Sequence, residues 1–279
     1  MPRDLSVLTW NTMGSTWHLI RKTFLSGLSR RVIYGKMKPF LNDDLSDILC
    51  LQEALPYLPN GLKSHLQNLG FSSISHADSA KGNSTLIASK FPIIDSGEIM
   101  LETPDDFPTK NSVDPSPRTC LWVDCDINGS RLRVYTCQLR IRGMGIQERL
   151  MFLERILSHA QQITYPVIVC GDMNTTIPKQ GLARSIVRFI HNEPDDSMVV
   201  DGTYHALDER YAFHSVAQRF GFRENIDVEK ATWALPYTSW ELFGLKLDWF
   251  LTKGIERTEY SFGPYISDHR PISVVLSIQ

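Results

Sequence analysis

Long apolar runs are missing from this chain, and no stretch of its 279 residues approaches the length that a membrane-spanning helix needs. Residues 1–10 contain an acid at Asp4 and too short an apolar run for a secretory signal peptide. No segment rich in Pro, Gly or Ser, no low-complexity tract and no internal repeat marks a linker. These absences predict a single domain that spans residues 1–279.

Cysteine is scarce and a strong net charge is absent. The five cysteines, which show no CxxC spacing and mostly fall in apolar strand-like runs, are Cys50, Cys120, Cys125, Cys137 and Cys170. This usage argues against a zinc site or a disulfide framework and favours a cytoplasmic protein. The formal net charge of −2 argues against a broadly basic surface that coats nucleic acid. A phosphate substrate stays open, because a bound divalent cation can supply local positive charge.

Strand and helix signals alternate along the chain. Apolar runs predict strands over residues 5–10, 47–52, 84–89, 97–101, 119–126, 131–139, 166–170, 245–252 and 271–278. Helices are predicted over residues 15–45, 61–69, 147–162, 181–191 and 211–220, and polar surface loops over 102–117 and 192–210. Two blocks of strands interleaved with helices indicate an α/β fold, with two sheets packed face to face and helices outside.

Polar residues end, interrupt or precede five of these strand-like runs. In chain order they are Asn11, Glu53, the pair Asp172 and Asn174, Asp248, and the pair Asp268 and His269. Each one alone has an ordinary explanation as a turn residue, a cap, a strand exit or a structural ion pair. Their joint occurrence favours a functional site, because sites are built where strand ends meet loops.

These residue types suit the hydrolysis of phosphodiesters, which resist attack chiefly through their negative charge. A catalyst needs a cation on the phosphoryl oxygens, a positioned water and help for the leaving oxygen. Glu53 ends an apolar run, where a charge is costly unless it is paired or ligating. Asp172 and Asn174 follow Gly171 at i and i+2, so both can project to one side. An imidazole is the expected partner of a carboxylate on an apolar strand, as at Asp248.

Six stretches resemble the endonuclease/exonuclease/phosphatase (DNase I-like) superfamily and occur in its order. They are LTWNT at 8–12, LCLQEA at 49–54, GNSTLIASKFPI at 82–93, VIVCGDMNTT at 167–176, KLDWFL at 246–251 and SDHRPISVVL at 267–276. GDMNTT and SDHRP are specific, and the others gain weight from their order. GDMNTT, followed by Thr232-Trp233 and then by Leu247-Asp248, especially resembles a bacterial branch of this superfamily. The resemblance implies a four-layer α/β sandwich with two mixed sheets and helices outside.

The resemblance also implies a metal site. Glu53 is expected to be the principal ligand of Mg²⁺, with Mn²⁺ as the alternative ion. Asn11 and Asp268 are expected to complete or support that site. Carboxylate oxygens are the ligands that such hard cations take in proteins.

Further roles follow from the same resemblance. Asp172 is expected to orient and deprotonate the attacking water, while Asn174 holds the phosphoryl group. His269 is expected to contact the scissile phosphate, with Asp248 behind it. One position departs from the common pattern, because Gln138 stands where many family members carry a histidine and the abasic-site endonucleases a tyrosine. Glutamine can donate a hydrogen bond to phosphate but cannot transfer a proton near neutral pH.

The sequence therefore predicts a monomeric, metal-dependent phosphoesterase that hydrolyses phosphodiester bonds, with nucleic acid as the leading substrate. A phospholipid or inositol-phosphate head group is the alternative within the same chemistry. A catalytically inactive fold member that binds a partner is the alternative of another class, and Gln138 mildly favours it. The presence of Glu53, Asp172, Asn174, Asp248, Asp268 and His269 argues against it, since a binding module needs no such set.

Overall fold

The computed structural model of the chain describes residues 3–12, 25–54, 57, 61–77, 84–101, 118–139, 146–175, 209–227, 230–233 and 245–278. The strands are β1 (Arg3–Asn11), β2 (Ile48–Gln52), β3 (Ser73–Ala77), β4 (Thr85–Ser89), β5 (Ile93–Leu101), β6 (Arg118–Ile127), β7 (Ser130–Gln138), β8 (Val167–Asp172), β9 (Arg223–Glu224), β10 (Asp248–Lys253), β11 (Arg257–Phe262) and β12 (Ile272–Ile278). The helices within these ranges are α1 (Leu25–Asp43), α2 (Leu62–Asn68), α3 (Ile146–Gln161) and α4 (Glu209–Arg219).

The strands form two mixed six-stranded sheets. The first sheet has the order β11-β12-β1-β2-β4-β3, and the second has the order β5-β6-β7-β8-β10-β9. Each sheet contains one parallel pair, β1 with β2 and β7 with β8, and its other pairs are antiparallel. A parallel pair needs a crossover connection, and the connections here carry α1 and α3.

Apolar packing arranges the sheets and helices in four layers. The inner cluster contains buried residues of both sheets, such as Val7 and Cys50 of the first and Val123 and Phe250 of the second. A second cluster packs α3 and α4 on the outer face of the second sheet. A third packs α1 and α2 on the outer face of the first sheet. The four-layer α/β sandwich predicted from the sequence is therefore confirmed.

The sequence prediction missed three strands, β3, β9 and β11. β3 and β11 are edge strands. β3 is short, contains two serines and a histidine, and buries only Ala77 fully, while half of β11 consists of Arg257, Thr258 and Glu259, so neither carries a strong apolar alternation. β9 is only two residues long. The predicted loop over residues 192–210 extends too far, since α4 already begins at Glu209. The predicted loop 102–117 and helix 181–191 lie outside the described residues.

No helix within the described ranges is long and apolar enough to cross a membrane.

Candidate active site

The structure brings the eight residues singled out in the sequence into one buried cluster. All of them are at most 7% exposed, and they are Asn11, Glu53, Gln138, Asp172, Asn174, Asp248, Asp268 and His269. Hydrogen bonds, ion pairs or close electrostatic contacts link each to another member of the set. The cluster lies where the two sheets meet, because four members come from each sheet or from the segment next to it.

Strand register sets the second sheet's contribution. Gln138 and Asp172, the last residues of β7 and β8, are paired across the parallel ladder. Asp248, the first residue of antiparallel β10, is paired with Asp172 from the other side. Three polar side chains therefore stand in a row at one end of three neighbouring strands. On the first sheet, Asn11 pairs with Gln52 at the shared end of β1 and β2, which places Glu53 beside it.

The backbone at two of these strand ends is in the left-handed region. Glu53 has φ 58° and Asn174 has φ 51°, values that residues with a side chain seldom adopt. Gly171 has φ 133°, and a Cβ atom there would lie 2.1 Å from the carbonyl oxygen of Cys137. Only glycine lets β7 and β8 approach this closely. Unusual backbone conformations of this kind concentrate at functional sites, where the surrounding structure holds them.

Glu53 is held by amide donors from both sheets. Its Oε1 accepts a hydrogen bond from Gln138 Nε2 at 2.6 Å and one from Asn11 Nδ2 at 3.2 Å. The same two amides reach Asp172 Oδ2, at 3.4 Å from Gln138 and 2.8 Å from Asn11. Asn11 and Gln138 therefore hold two buried carboxylates, Glu53 and Asp172, close to one another.

Asp172 carries a strongly shifted pKa. Burial raises the pKa of Asp172 to about 7, and the neighbouring Asp248 raises it too, whereas His269 and the Asn11 amide oppose the rise. Its Oδ1 accepts a hydrogen bond from the backbone N–H of Asn174 at 3.0 Å. The Asn174 side chain is fixed in turn by donating to the Leu139 carbonyl at 2.8 Å. A carboxyl that titrates near neutral pH is suited to accept a proton.

The predicted pairing of Asp248 with His269 is present, with Nδ1 of the imidazole 2.8 Å from Asp248 Oδ2. Burial by itself lowers the pKa of His269, but Asp248, Asp172 and Asp268 outweigh it and raise the pKa to about 10. One ligand atom each of Asp172, Asp248 and His269 lie within 4.8 Å of one another, a spacing that a metal ion could use. The hydrogen bond between His269 Nδ1 and Asp248 Oδ2 accounts for the closest contact in this grouping.

The two oxygens of the Asp268 carboxylate differ in their hydrogen bonding. Its Oδ2 accepts a hydrogen bond from Trp233 Nε1 at 3.0 Å, while its buried Oδ1 has no hydrogen-bond partner among the described residues. Burial raises the pKa of Asp268, and the nearby Glu53 raises it further, against His269. Two neighbouring buried carboxylates, one with an oxygen left unbonded, fit the hard oxygen donors that Mg²⁺ or Mn²⁺ requires. Glu53 and Asp268 could therefore hold a divalent cation.

Several supporting residues had no role in the sequence analysis. Ser267 Oγ donates to the Asn11 carbonyl at 2.8 Å and accepts from Trp10 Nε1 and the His269 N–H, each at 3.1 Å. Thr232 and Trp233 contact Asp248 and Asp268 but were noted only as a mark of resemblance. Their contacts join residues that are distant in sequence, so no local sequence pattern predicts these contacts.

Comparison with known proteins shows which family and which solved structures the chain resembles. A model of the endonuclease/exonuclease/phosphatase family matches residues 8–269. No curated protein sequence matches the chain. Among solved structures, TDP2 from D. rerio, complexed with a single-strand DNA product, superimposes with a TM-score of 0.59 and 17% identity. That match covers 98% of each chain.

Two further structures show the same architecture. An endonuclease/exonuclease/phosphatase family protein from Bacteroides thetaiotaomicron has a TM-score of 0.62 and 16% identity, over 100% of this chain and 99% of the other. ANGEL2, a 2′,3′-cyclic phosphatase in complex with adenosine-2′,3′-vanadate, has a TM-score of 0.64 and 14% identity, over 99% and 96%. At these identities the likeness establishes the fold.

Proposed function

Because the chain belongs to the endonuclease/exonuclease/phosphatase family, whose members are phosphoester hydrolases, we propose that it hydrolyses phosphodiester bonds with the help of a divalent cation. The substrate of this proposal is a nucleic acid, and the working unit is a single domain, residues 1–279, acting as a monomer. The observation that carries it is the buried cluster in which Glu53 and Asp172 share the amide donors of Asn11 and Gln138.

Glu53 and Asp268 hold the cation in this proposal, with Asn11 supporting them, and Mg²⁺ or Mn²⁺ is the ion. Enzymes of this family generally use divalent metals, and the unbonded Oδ1 of Asp268 supports a ligand role. When bound, the ion neutralises charge on the phosphoryl oxygens and polarises the phosphate toward attack. Gln138 orients Glu53 in this proposal, because the amide nitrogen of Gln138 donates a 2.6 Å hydrogen bond to the Glu53 carboxylate.

Asp172 is the general base, and Asn174 is the group that holds the phosphoryl oxygen. A water hydrogen-bonded to Asp172 gives up its proton to a carboxylate whose pKa of about 7 matches the task. Asn174 uses one amide hydrogen on the Leu139 carbonyl, and the other hydrogen remains to donate to the substrate. The Asn174 N–H holds Asp172 in place, so the two roles are coupled.

His269 is the cationic donor to the scissile phosphate. Its Nδ1–H donates to Asp248, which fixes the ring and keeps it protonated, and Nε2–H remains for a phosphate oxygen. Nε2 lies 3.9 Å from Asp172 Oδ2, so the base and the phosphate donor face the same small space. A charged donor aimed at charge that grows in the transition state is an effective stabilising device.

Nucleic acid is the substrate that the comparisons favour. D. rerio TDP2 was crystallised with a single-strand DNA product, and ANGEL2 with an adenosine-2′,3′-vanadate. Both ligands present a phosphate or its analogue attached to a nucleoside. Neither comparison points to a lipid or an inositol phosphate, which makes those head groups the outcomes to be tested against.

The test is hydrolysis, with Mg²⁺ and with excess EDTA, of single- and double-stranded DNA, RNA, sphingomyelin, inositol phosphates and a chromogenic phosphodiester. We expect metal-dependent cleavage of a nucleic acid, abolished in Glu53→Gln and retained in the control Glu98→Gln, which alters an exposed carboxylate on β5. Full activity in EDTA would contradict the metal role. Preference for a lipid or inositol phosphate would overturn the substrate, and no hydrolysis at all would favour a binding module.

A further inference from the structure

Trp233 makes a direct hydrogen bond to a carboxylate of the site. Its indole Nε1–H donates to Asp268 Oδ2 at 3.0 Å, and the Trp233 side chain is 7% exposed. The other oxygen of Asp268, Oδ1, has no hydrogen-bond partner among the described residues. The indole N–H is a donor only, so this bond fixes Oδ2 as an acceptor, and Oδ1 is the oxygen that carries no hydrogen bond.

The segment that carries Trp233 is anchored on both sides of the site. Its backbone forms isolated antiparallel bridges with Leu245, which precedes β10, and with His269, which precedes β12. The neighbouring Thr232 accepts the Arg270 N–H at 2.8 Å through its carbonyl oxygen. Backbone pairing therefore fixes the position of Trp233 and directs its indole toward Asp268.

Thr232 ties the same segment to the other half of the site. Its Oγ1 accepts hydrogen bonds from the backbone N–H groups of Leu247 and Asp248, both at 3.0 Å. Asp248 belongs to the second sheet, whereas Asp268 and His269 lead into the first. Thr232 and Trp233 thus connect the two sheets at the place where the Asp248–His269 pair forms.

We infer that Trp233 is a positioning residue for the metal: its indole N–H occupies Asp268 Oδ2 and so presents Oδ1 to the cation. This inference rests on the proposed metal-dependent function and names one ligand atom of the site. Residues that hydrogen-bond a metal ligand orient it, and their loss typically weakens metal affinity by about 10–100-fold. A tryptophan that served only the core would need no site carboxylate as its partner, since any acceptor would satisfy its N–H.

A double-mutant cycle on Mn²⁺ binding, measured by calorimetry on the full chain, separates these roles. Trp233→Phe should weaken Mn²⁺ binding by about 10–100-fold. In the Asp268→Ala background the same substitution should change affinity by less than about twofold, because the ligand through which Trp233 acts is gone. Trp122→Phe is the matched control, since that ring lies against Arg133, and it should leave affinity unchanged. An equal loss in both backgrounds would overturn the inference in favour of a structural role.

The unmodified protein provides a measurement that no folding defect can confuse. On titration with Mg²⁺, the indole ¹H–¹⁵N signal of Trp233 should shift with the midpoint of metal binding, while that of Trp122 stays in place. A Trp233 signal that does not move while Mg²⁺ binds overturns the inference and leaves the proposed function intact. If the unmodified protein binds neither Mg²⁺ nor Mn²⁺, the proposed function fails together with it.

Discussion

Two buried groups of charges lie toward opposite ends of β7, and they are built differently. Near the start of the strand, Arg133 donates to both oxygens of Asp124 at 2.6 Å, and Tyr165 adds a third hydrogen bond at 2.7 Å. The Arg133 guanidinium also stacks 4.0 Å from the Trp122 ring centre. In this group the one acid meets a guanidinium of matching shape, and its oxygens are occupied by protein donors.

In the group at the end of β7, carboxylates outnumber the positively charged side chains that contact them. Among the described residues, three buried carboxylates act on the His269 imidazole, namely Asp248, Asp172 and Asp268, and a fourth, Glu53, lies near Asp268. Buried oxygens of Asp248 and Asp268 have no hydrogen-bond partner among the described residues. Uncompensated buried acid is costly to folding, so it is retained where something else completes it. The Asp124–Arg133 pair is therefore complete within the protein, whereas the group at the end of β7 leaves buried carboxylate oxygens without a hydrogen-bond donor among the described residues, as the proposed cation site requires.

The largest expected effect that distinguishes the two groups is the loss of turnover in His269→Ala. Loss of the charged phosphate donor should lower kcat by about 10²–10³ through lost electrostatic stabilisation, and by up to about 10⁴ if proton transfer is lost as well. Steady-state kinetics on the best substrate at saturating Mg²⁺ measures the effect. Turnover equal to that of the unmodified protein would contradict the proposed mechanism.

For Asp124→Ala, in the Asp124–Arg133 pair, we expect a loss of stability with little loss of turnover. The substitution leaves the buried Arg133 without its partner, which should lower the free energy of unfolding by about 3–5 kcal/mol. At a temperature where the variant is folded, kcat should stay within about twofold of the original. Denaturant unfolding supplies the first number, and the activity assay supplies the second. A large loss of kcat without loss of stability would show that the two groups are not independent.

Gln138→Ala should have a smaller effect on turnover than His269→Ala. Gln138 donates as an uncharged amide to the carboxylates of Glu53 and Asp172, and a hydrogen bond to a charged group contributes about 1.5–3 kcal/mol, roughly 10- to 150-fold in rate. Gln138→His keeps a donor at the position and should lose less than the alanine variant. A collapse of activity in Gln138→Ala as deep as in His269→Ala would mean that this amide contacts the reacting phosphate.

A separate effect is expected on the pH dependence of stability without metal. Folding raises the pKa of Asp172 from 3.8 to about 7 and that of His269 from 6.5 to about 10. Both groups bind protons more tightly when folded, so their stabilisation is complete below the unfolded values and is lost as pH rises through the folded ones. In EDTA, Tm should fall from pH 5 to pH 9, and Asp172→Asn should flatten that fall.

A comparison of Mg²⁺ with EDTA sharpens the same point. The cation supplies the positive charge that the ionised carboxylates lack, so the rise in Tm on adding Mg²⁺ should be larger at pH 8 than at pH 5. Thermal melts at both pH values measure this difference. A stabilisation by Mg²⁺ that does not change with pH would argue that the ion binds away from these carboxylates.

The parts of the site that follow local rules were predictable from the sequence. Glu53, Asp172 and Asp248 lie in or directly after apolar strands, where an acid stands out against its neighbours, and the structure brings them together. The Asp248–His269 hydrogen bond followed from the same reasoning. Trp233 could not be assigned a role, because its contact with Asp268 depends on backbone pairing with Leu245 and His269. Edge strand β11 was missed because its polar sequence carries no clear alternation.

Gly171 has a consequence for how this protein can change over generations. Every amino-acid replacement at position 171 adds a Cβ atom 2.1 Å from the Cys137 carbonyl oxygen, and only displacement of one strand relieves this clash. Such a displacement separates Gln138 from Asp172, which the ladder now holds side by side. Mutational screens should therefore find position 171 as intolerant as any acid of the site, although glycine has no side chain to take part in chemistry.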